Sequence, residues 1–479
     1  MNFSQPRFLG QAPRWYATTV VCLLLLNVLL AVAAGPWVTG WFCVAEFIFT
    51  LALSFHCHPL APGGLIALEA VLLGLTDPLE VYAQVEHGLP VILLLLFMIC
   101  AVHFMRELLL FCFTRMLLAV HSPTALALLF CLTAAVLSAF LDALTVLAVV
   151  MTVTGALLTA CDEHNPGNPA AAAELAQLRG ALRGLLMHAA VGTALGGVTT
   201  LVGEPQNVLV AAAVHWDFKA FFLHTAPVSM PVLAAGAVTC VLVERLRLFG
   251  FGVALPSSVR PVLTGLASQG AAAASHRQLL IQAAGAVILI VALVFHVAEV
   301  GLIGLMLVIL LAASLGITDE HELAEGLKGG VPFTALLVVF FAVTAVIQDQ
   351  HLFRPVLAWV LAHDPAHQPG WLYLASGALS AISDNVFVAS VYLGELEQFL
   401  RTHPIPAQHL DTLAVAINAG TNIPSIATPN GQAALLFLLT SALAPRIALS
   451  YARMVWMAFP YLVVTGTVGW LAVNRLAGG

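Results

Sequence analysis

Long apolar stretches run through the whole chain, separated by short polar turns. Windows close to 20 residues place helices near 17–35, 38–56, 59–76, 88–105, 184–214, 226–246, 278–297, 299–317, 330–348, 411–443 and 454–474. That length matches the hydrocarbon core of a bilayer at a rise of about 1.5 Å per residue. Two further apolar stretches, 122–161 and 369–394, each carry an aspartate in the middle. The polar breaks are Asp162–Arg179, with Pro166 and Pro169, and Arg247–Arg277, with Pro256-Ser-Ser and the alanine-rich Gly270–Ala274. Segments 106–120, with Arg106, Glu107 and Arg115, and 215–223, with Trp216, Asp217 and Lys219, read as helices lying at the interface. The runs are continuous rather than alternating, so a β-barrel is excluded.

The pattern repeats. Ser138-Ala-Phe-Leu-Asp142-Ala-Leu-Thr145 is matched by Ser380-Ala-Ile-Ser-Asp384-Asn385-Val-Phe387. Each aspartate stretch precedes an apolar helix broken by Pro, Asn and Gly: Gly203-Glu204-Pro205-Gln206-Asn207, then Ala427-Thr428-Pro429-Asn430-Gly431. Order is kept while spacing differs, 63 residues from Asp142 to Pro205 and 45 from Asp384 to Pro429. Ionisable residues paired with broken helices at membrane depth are the mark of an ion-coupled transporter. The organisation expected is an N-terminal span over 1–37, one repeat over 38–246, a cytoplasmic linker over 247–277 and a second repeat over 278–479. The hairpins lie at 122–161 and 369–399, and the broken helices at 184–214 and 411–443.

Composition sharpens this reading. Hydrophobic residues make up 61% and charged residues 9% of the 479-residue chain, and mean hydropathy is +0.99. A soluble protein of this size cannot hide that much apolar surface, so the chain is an all-α polytopic membrane protein. With 17 Lys and Arg and a net charge of −7, no basic patch for nucleic acid exists. The eight cysteines lie between Cys22 and Cys240 without a CxxC pair, which favours buried thiols over disulfides or a zinc site. His56-Cys57-His58 holds three potential ligands in one tripeptide, a spacing at which one ion is rarely shared. Arg7, Arg14, the apolar Val20–Val32 and Ala31-Val32-Ala33-Ala34 mimic a secretory signal. An uncleaved first span is favoured, because more spans follow at once.

Basic residues set the orientation. With a cytoplasmic N-terminus and both aspartate stretches returning to the side they entered, 13 Lys and Arg are cytoplasmic and four external (Lys219, Arg354, Arg401, Arg475). The two halves then run in opposite directions, as inverted repeats. Asp384 divides its stretch into limbs of about 11 to 15 residues, too short to cross singly, which favours a re-entrant hairpin. The first stretch, about 39 residues, fits either a re-entrant hairpin or two full spans. Its likeness to the second favours re-entry.

An ionised aspartate at mid-membrane costs about 2.5–3.5 kcal/mol on insertion scales, so its presence asks for a reason. Such a carboxylate holds a proton or a sodium ion but not both, and this competition, joined to a switch of access, is enough to exchange the two. Asp142 and Asp384 are the expected Na+ and proton carriers, with Thr145 and Asn385 beside them. Helix capping is the plainer reading of each aspartate. Pro205 and Pro429 remove backbone donors and free upstream carbonyls, while Gly196, Gly197 and Gly203 permit close approach. Asn207, Thr421, Asn422, Thr428 and Asn430 add neutral oxygens of the kind hard cations prefer. The plainer reading here is a proline kink with packing glycines. Glu204 is either a third ion-handling carboxylate or a paired group inside the bundle. Glu46 and Glu69 read better as interhelical contacts.

These residues resemble a family. Gly192-Thr-Ala-Leu-Gly-Gly-Val-Thr-Thr-Leu-Val-Gly-Glu-Pro-Gln-Asn207, Ile382-Ser-Asp-Asn-Val-Phe-Val388 and Ile417-Asn-Ala-Gly-Thr-Asn-Ile-Pro-Ser-Ile-Ala-Thr-Pro-Asn-Gly-Gln-Ala-Ala434 are similar to the NhaB-type bacterial sodium/proton antiporters. So are Ala298-Glu-Val-Gly-Leu-Ile-Gly-Leu305, Thr318-Asp-Glu-His321 and Leu449-Ser-Tyr-Ala-Arg-Met-Val-Trp-Met457. The likeness covers nearly the whole chain, departing at the N-terminus and the loops 162–178 and 247–277. It implies a multi-pass protein of the bacterial inner membrane that exports Na+, and Li+, for entering protons. It also implies membership of the broader ion-transporter superfamily, with two re-entrant hairpins, two unwound helices, a homodimeric scaffold and an elevator-like movement. Neither a cofactor nor an enzymatic activity is implied.

The alternative within transporters is a Na+-coupled symporter of a small carboxylate. In dicarboxylate-transporting relatives the hairpin tips carry Ser-Asn-Thr, whereas here they carry Leu141-Asp142-Ala143 and Ser383-Asp384-Asn385. The hairpins and broken helices also contain no Lys or Arg to receive an anion. An intramembrane aspartyl protease would need Gly-x-Gly-Asp and Tyr-Asp motifs, and neither aspartate has them. A passive channel would not call for broken, repeat-related helices.

Overall fold

The computed structural model describes residues 8–10, 12–141, 143–164, 169–265 and 275–477. Arg7, Asp142, Pro166 and the Gly270–Ala274 stretch lie outside the described residues. The described chain is helical throughout, without a strand. Among the described residues, six helices are long and apolar enough to cross a membrane, and Pro78–His87 with Leu89–Phe104, bent by 53°, makes a seventh if the pair is one span.

The first apolar helix, Arg14–Ala33, packs on Pro36–Ala52 and Leu60–Leu72. Its outward residues Leu25, Leu29 and Val32 stay exposed, as suits a surface solvated by lipid tails. Polar groups within this trio must find each other. Asn27 Nδ2 donates to Glu46 Oε2 at 2.7 Å and to Glu69 Oε2 at 2.9 Å, so one amide joins all three helices. The interhelical reading of both glutamates is therefore the one their geometry supports.

From Pro36 onward, helices follow in a comparable order in each half. Pro36–Ala52, Leu60–Leu72, Pro78–His87, Leu89–Phe104 and Arg106–Ala119 lead to the arms Pro123–Ser138 and Ala143–His164. His276–Val294, Val300–Leu315, Glu320–Lys328, Val331–Asp349 and Arg354–Leu361 lead to the arms Gln368–Ser380 and Asn385–Thr402. Each pair of arms precedes a broken helix, and Phe218–Leu246 or Tyr451–Ala477 closes the half. Pro123–Ser138 packs along Pro169–Gly197, as Gln368–Ser380 packs along Ala407–Asn422. Leu89–Phe104 packs against Val300–Leu315, joining the halves, and also touches Ala143–His164 and Pro205–Ala213.

In lipid, apolar side chains gain little by meeting each other, so close backbone approach decides which helices pair. Gly196 provides such an approach: a Cβ there would collide with the backbone of Ala135 on the first arm.

Two expected boundaries are corrected. The polar break Asp162–Arg179 is mostly helical, because the helix ending at Gly197 already begins at Pro169. Proline suits a first turn and the alanines after it have the highest helix propensity, which outweighs the polar pattern. The segment 215–223 is not a separate interfacial helix either. Asp217 caps a continuous helix, Phe218–Leu246, by accepting from Ala220 N at 2.6 Å. Pro227 and Pro231 lie inside that helix without ending it.

Candidate functional site

Both expected breaks are present, and they are built differently. The first helical segment, Pro169–Gly197, stops at two adjacent glycines, and residues 198–204 leave helical geometry. The chain turns back so tightly that a Cβ on Gly203 would meet the backbone of Gly197, with its Cα 2.7 Å away. Glu204 then sits at the N-cap in extended geometry (φ −142°, ψ 144°), and Pro205 opens the second segment, Pro205–Ala213. Proline costs nothing there, since the first N–H of a helix has no intrahelical partner. The second break is longer. Ala407–Asn422 passes into a 3₁₀ turn, Pro424–Ala427, Thr428 is extended (φ −139°, ψ 158°), and helix resumes only at Ala433–Thr440. Pro429 thus lies within the unwound segment, whereas Pro205 begins a helix.

Unwinding strands carbonyls that a buried site must satisfy. Asn207 Nδ2 donates to the Gly197 carbonyl at 2.7 Å and the Thr200 carbonyl at 2.6 Å. Asn418 Nδ2 reaches the Val198 carbonyl at 3.5 Å from the other half. These carbonyls are held by asparagine amides, a use the sequence reading had not foreseen.

The same amides join the breaks. Asn422 Nδ2 donates to Asn207 Oδ1 at 3.1 Å and to the Asn418 carbonyl at 2.8 Å, while Gln206 Nε2 donates to Asn422 Oδ1 at 2.7 Å. Gln432 Nε2 donates to Glu204 Oε1 at 3.3 Å, and Asn385 Nδ2 to Gln432 Oε1 at 3.5 Å. All of these side chains are buried. Two hydrogen-bonded chains make up this polar network: one runs from the second hairpin tip through Gln432 to Glu204, the other links Gln206, Asn207, Asn418 and Asn422, and the backbone from Glu204 to Gln206 joins them. Among the described residues, Gln206 Oε1, Ser138 Oγ and Ser383 Oγ are buried oxygens with no hydrogen-bond partner.

The hairpin tips are tied to the breaks by hydroxyl groups. Thr428 Oγ1 donates to the Ala381 carbonyl at 2.6 Å, and Ser380 Oγ to the Thr421 carbonyl at 2.7 Å. On the first hairpin, Thr200 Oγ1 donates to the Ala139 carbonyl. Asp384 is a helix N-cap: its Oδ1 accepts from Val386 N at 2.9 Å and Phe387 N at 3.3 Å. The cap uses one carboxylate oxygen. The plainer reading of this aspartate is thus part of its geometry, and capping does not exhaust a group with about four lone-pair sites.

The expected site residues divide clearly. Glu204, Asn207, Asn385 and Asn422 share the network, Asp384 adjoins it through Asn385, and Thr428 fastens the second tip. Thr145 occupies the first turn of Ala143–His164, and Asp142 lies outside the described residues. Asn430 turns aside, donating to Tyr451 OH at 3.2 Å, with its Oδ1 unpartnered. Gln206, Asn418 and Gln432 belong to the network and were missed. Their signals were local: Asn418 lies one turn before Asn422, and the two glutamines directly follow Pro205 and Gly431.

No Lys or Arg occurs within 122–161, 184–214, 369–399 or 411–443. The buried site therefore presents carboxylates and amide and hydroxyl oxygens without a covalently bound cation, an environment that draws small hard cations or protons.

Known proteins share this chain's sequence and shape. The family model for bacterial Na+/H+ antiporter B (NhaB) matches residues 2–477. A protein of Pseudomonas entomophila (strain L48) named Na(+)/H(+) antiporter NhaB is 55% identical over 485 residues, covering 98% of this chain and 97% of the relative. Its namesake from Pseudomonas aeruginosa (strain LESB58) is 55% identical over 486 residues, with the same coverage of 98% and 97%. Among solved structures, the Alcanivorax borkumensis YdaH transporter superposes with a TM-score of 0.52 at 15% identity, covering 92% of this chain and 98% of that one, which speaks for the fold. A family match over nearly the full length, with the broken helices and their polar network in place, makes this chain a member of the bacterial Na+/H+ antiporter B (NhaB) family.

Proposed function

We propose that the protein exchanges cytoplasmic Na+, and Li+ as well, for external protons across the bacterial inner membrane. The observation that carries this reading is the buried network between the two breaks, which holds Glu204 with six carboxamides and no lysine or arginine. Asp142 and Asp384 hold Na+ in one state and protons in the other. Glu204 adds a third carboxylate, and Thr145, Asn207, Asn385, Asn422, Thr428 and Asn430 supply neutral oxygens. Gly196, Gly197, Gly203, Pro205 and Pro429 keep the helices unwound around them. Desolvation disfavours the ionised form of any carboxyl, so an arriving cation and a proton compete for the same oxygens.

Access alternates because the halves, 38–246 and 278–479, are inverted repeats whose hairpins enter from opposite sides. The hairpins and broken helices move together, elevator-fashion, against a homodimeric scaffold that includes Leu89–Phe104 and Val300–Leu315. The packing of those two helices on each other supports that division, and Leu89–Phe104 also meets the moving part at Pro205–Ala213 and Ala143–His164. The N-terminus lies in the cytoplasm, in keeping with the distribution of basic residues.

The test is purified protein in liposomes with an imposed pH gradient and a pH-sensitive dye. Collapse of the gradient on adding NaCl or LiCl, but not KCl or a choline dicarboxylate, is expected. Silence towards Na+, with Na+-dependent uptake of a labelled carboxylate, would overturn antiport.

A further inference from the structure

A second buried ionisable cluster lies apart from the ion network. His188 is fully buried on Pro169–Gly197, nine residues before the helix breaks. Its Nδ1 is 2.7 Å from Tyr461 OH, on Tyr451–Ala477, and its Nε2 is 2.9 Å from Glu244 Oε1, on Phe218–Leu246. Phe251 stacks on the imidazole, with centroids 4.3 Å apart and planes at 25°. Phe251 belongs to the strap after Leu246 and is flanked by Gly250 and Gly252, both at positive φ. Glu244 and Phe251 also line a cavity of about 260 Å³, with Gly184, Leu185, His121 and Arg260 around it. Pro123, at the open end of the first hairpin, lines the same cavity.

The other groups facing the histidine are few. Cys240 adjoins it from Phe218–Leu246, and Cys131, from the first arm, adjoins Cys240. On its own helix the preceding charge is Arg183, whose Nη1 donates to the Ile447 carbonyl at 2.9 Å, with Arg453 of Tyr451–Ala477 near it. From the strap, Arg260 pairs with His121. Among the described residues, the ion pair of Glu244 is with His188.

We infer that His188, Glu244 and Tyr461 form a second proton-binding site, with Glu244 at the edge of this cavity, which sets the pH at which exchange begins and does not carry the exchanged proton. With neutral imidazole, Nε2–H donates to Glu244 and Nδ1 accepts the tyrosine O–H. A proton that reaches the pair binds at Nδ1, the tyrosine hydroxyl turns, and its oxygen accepts instead. No heavy atom needs to move, because a tyrosine hydroxyl both donates and accepts. The charge changes from a lone Glu244 carboxylate to a neutral pair. The protonated state clamps three helices and the strap together. Loss of the proton leaves a carboxylate whose desolvation favours water in the cavity, which loosens Phe251 and frees the helix above the break.

The inference rests on the antiport reading, so its test has one readout that does not. Hydrogen exchange of residues 248–258 is followed against pH in purified protein, beside Na+-driven dye response in liposomes. Strap protection in the wild type is expected to fall as pH rises, with exchange turning on over the same interval. His188→Gln and Glu244→Gln both keep hydrogen-bonding shape and should abolish the protection step. His188→Gln, which leaves the Glu244 carboxylate unpaired, should move the onset of exchange down by about one pH unit or more, and Glu244→Gln, which removes that carboxylate, should move it up. The exchange rate well above the onset should stay within about threefold of wild type, a difference under ~1 kcal/mol. An unchanged protection step and onset in both folded variants would overturn the inference. So would loss of exchange at every pH, which would put the pair in the transport path. If one variant does not fold, the other, with Phe251→Leu, decides. A protection step in a wild type that gives no Na+ response would count against antiport and not against the site.

Discussion

The two broken helices solve one problem with different chemistry. In the first, the chain doubles back at Gly197 and Gly203, and the residue before proline is the carboxylate Glu204. In the second, Ala427 and Thr428 stand where Gly203 and Glu204 do, and the chain takes a 3₁₀ turn and an extended stretch before resuming helix. The first break is thus narrow and carries charge. The second is long and neutral, and it fastens the hairpin tip through Thr428. The two breaks share the positions that unwind a helix, yet the first sets a carboxylate before its proline, Glu204, where the second has Thr428.

The sharpest way to break this comparison is a methyl group. Gly203→Ala would drive a Cβ into the Gly197 backbone, which cannot move aside as a side chain could. We expect loss of folded protein, a penalty of several kcal/mol of the kind overpacking causes, read as collapse of monodisperse yield. The matching change, Ala427→Gly, should cost only about 1 kcal/mol. Equal tolerance of both would erase the structural difference between the breaks.

The charged positions come next. Asp384→Asn retains a good N-cap, so thermal stability should stay within about 0.5 kcal/mol while exchange drops to the liposome background. Asp384→Ala should lose exchange and about 1 kcal/mol of stability besides. Near-normal exchange in Asp384→Asn would reduce this aspartate to its capping role. Asp142→Asn is expected to lose exchange in the same assay. Glu204→Gln keeps an acceptor for Gln432 and removes only the charge, so a fall of about tenfold or more in rate, ~1.4 kcal/mol, isolates the ionic contribution.

The neutral positions should matter least. Thr428→Val removes the bond to the Ala381 carbonyl and should cost about 1 kcal/mol, visible as a lower melting temperature. Asn430→Ala, whose amide faces Tyr451, should weaken Na+ dependence by only a few-fold in a titration of the dye response.

The sequence made the helices, the breaks and the tips legible because each follows from one strong physical signal. Apolar runs of bilayer length gave the spans, and Pro, Gly and Asn inside two of them gave the breaks. Where signals competed, boundaries slipped. Polar Glu174 and Arg179 suggested a loop, yet proline and alanine at 169–173 start a helix. The charged Asp217 and Lys219 set 215–223 apart from the apolar window at 226–246, yet Asp217 caps one continuous helix through both. Gln206, Asn418 and Gln432 escaped because a carboxamide has no charge to draw attention. Their importance comes from lying opposite one another across halves more than 200 residues apart in sequence.

The measurement nearest the central claim is proton release on sodium binding. Purified protein in weakly buffered detergent solution is mixed with NaCl or KCl while pH is followed with an indicator. Competition for shared carboxylates predicts that Na+ releases protons and K+ does not, and that Asp142→Asn with Asp384→Asn abolishes the release. Calorimetric binding of Na+ with no protons released, or equal release from the double variant, would contradict it.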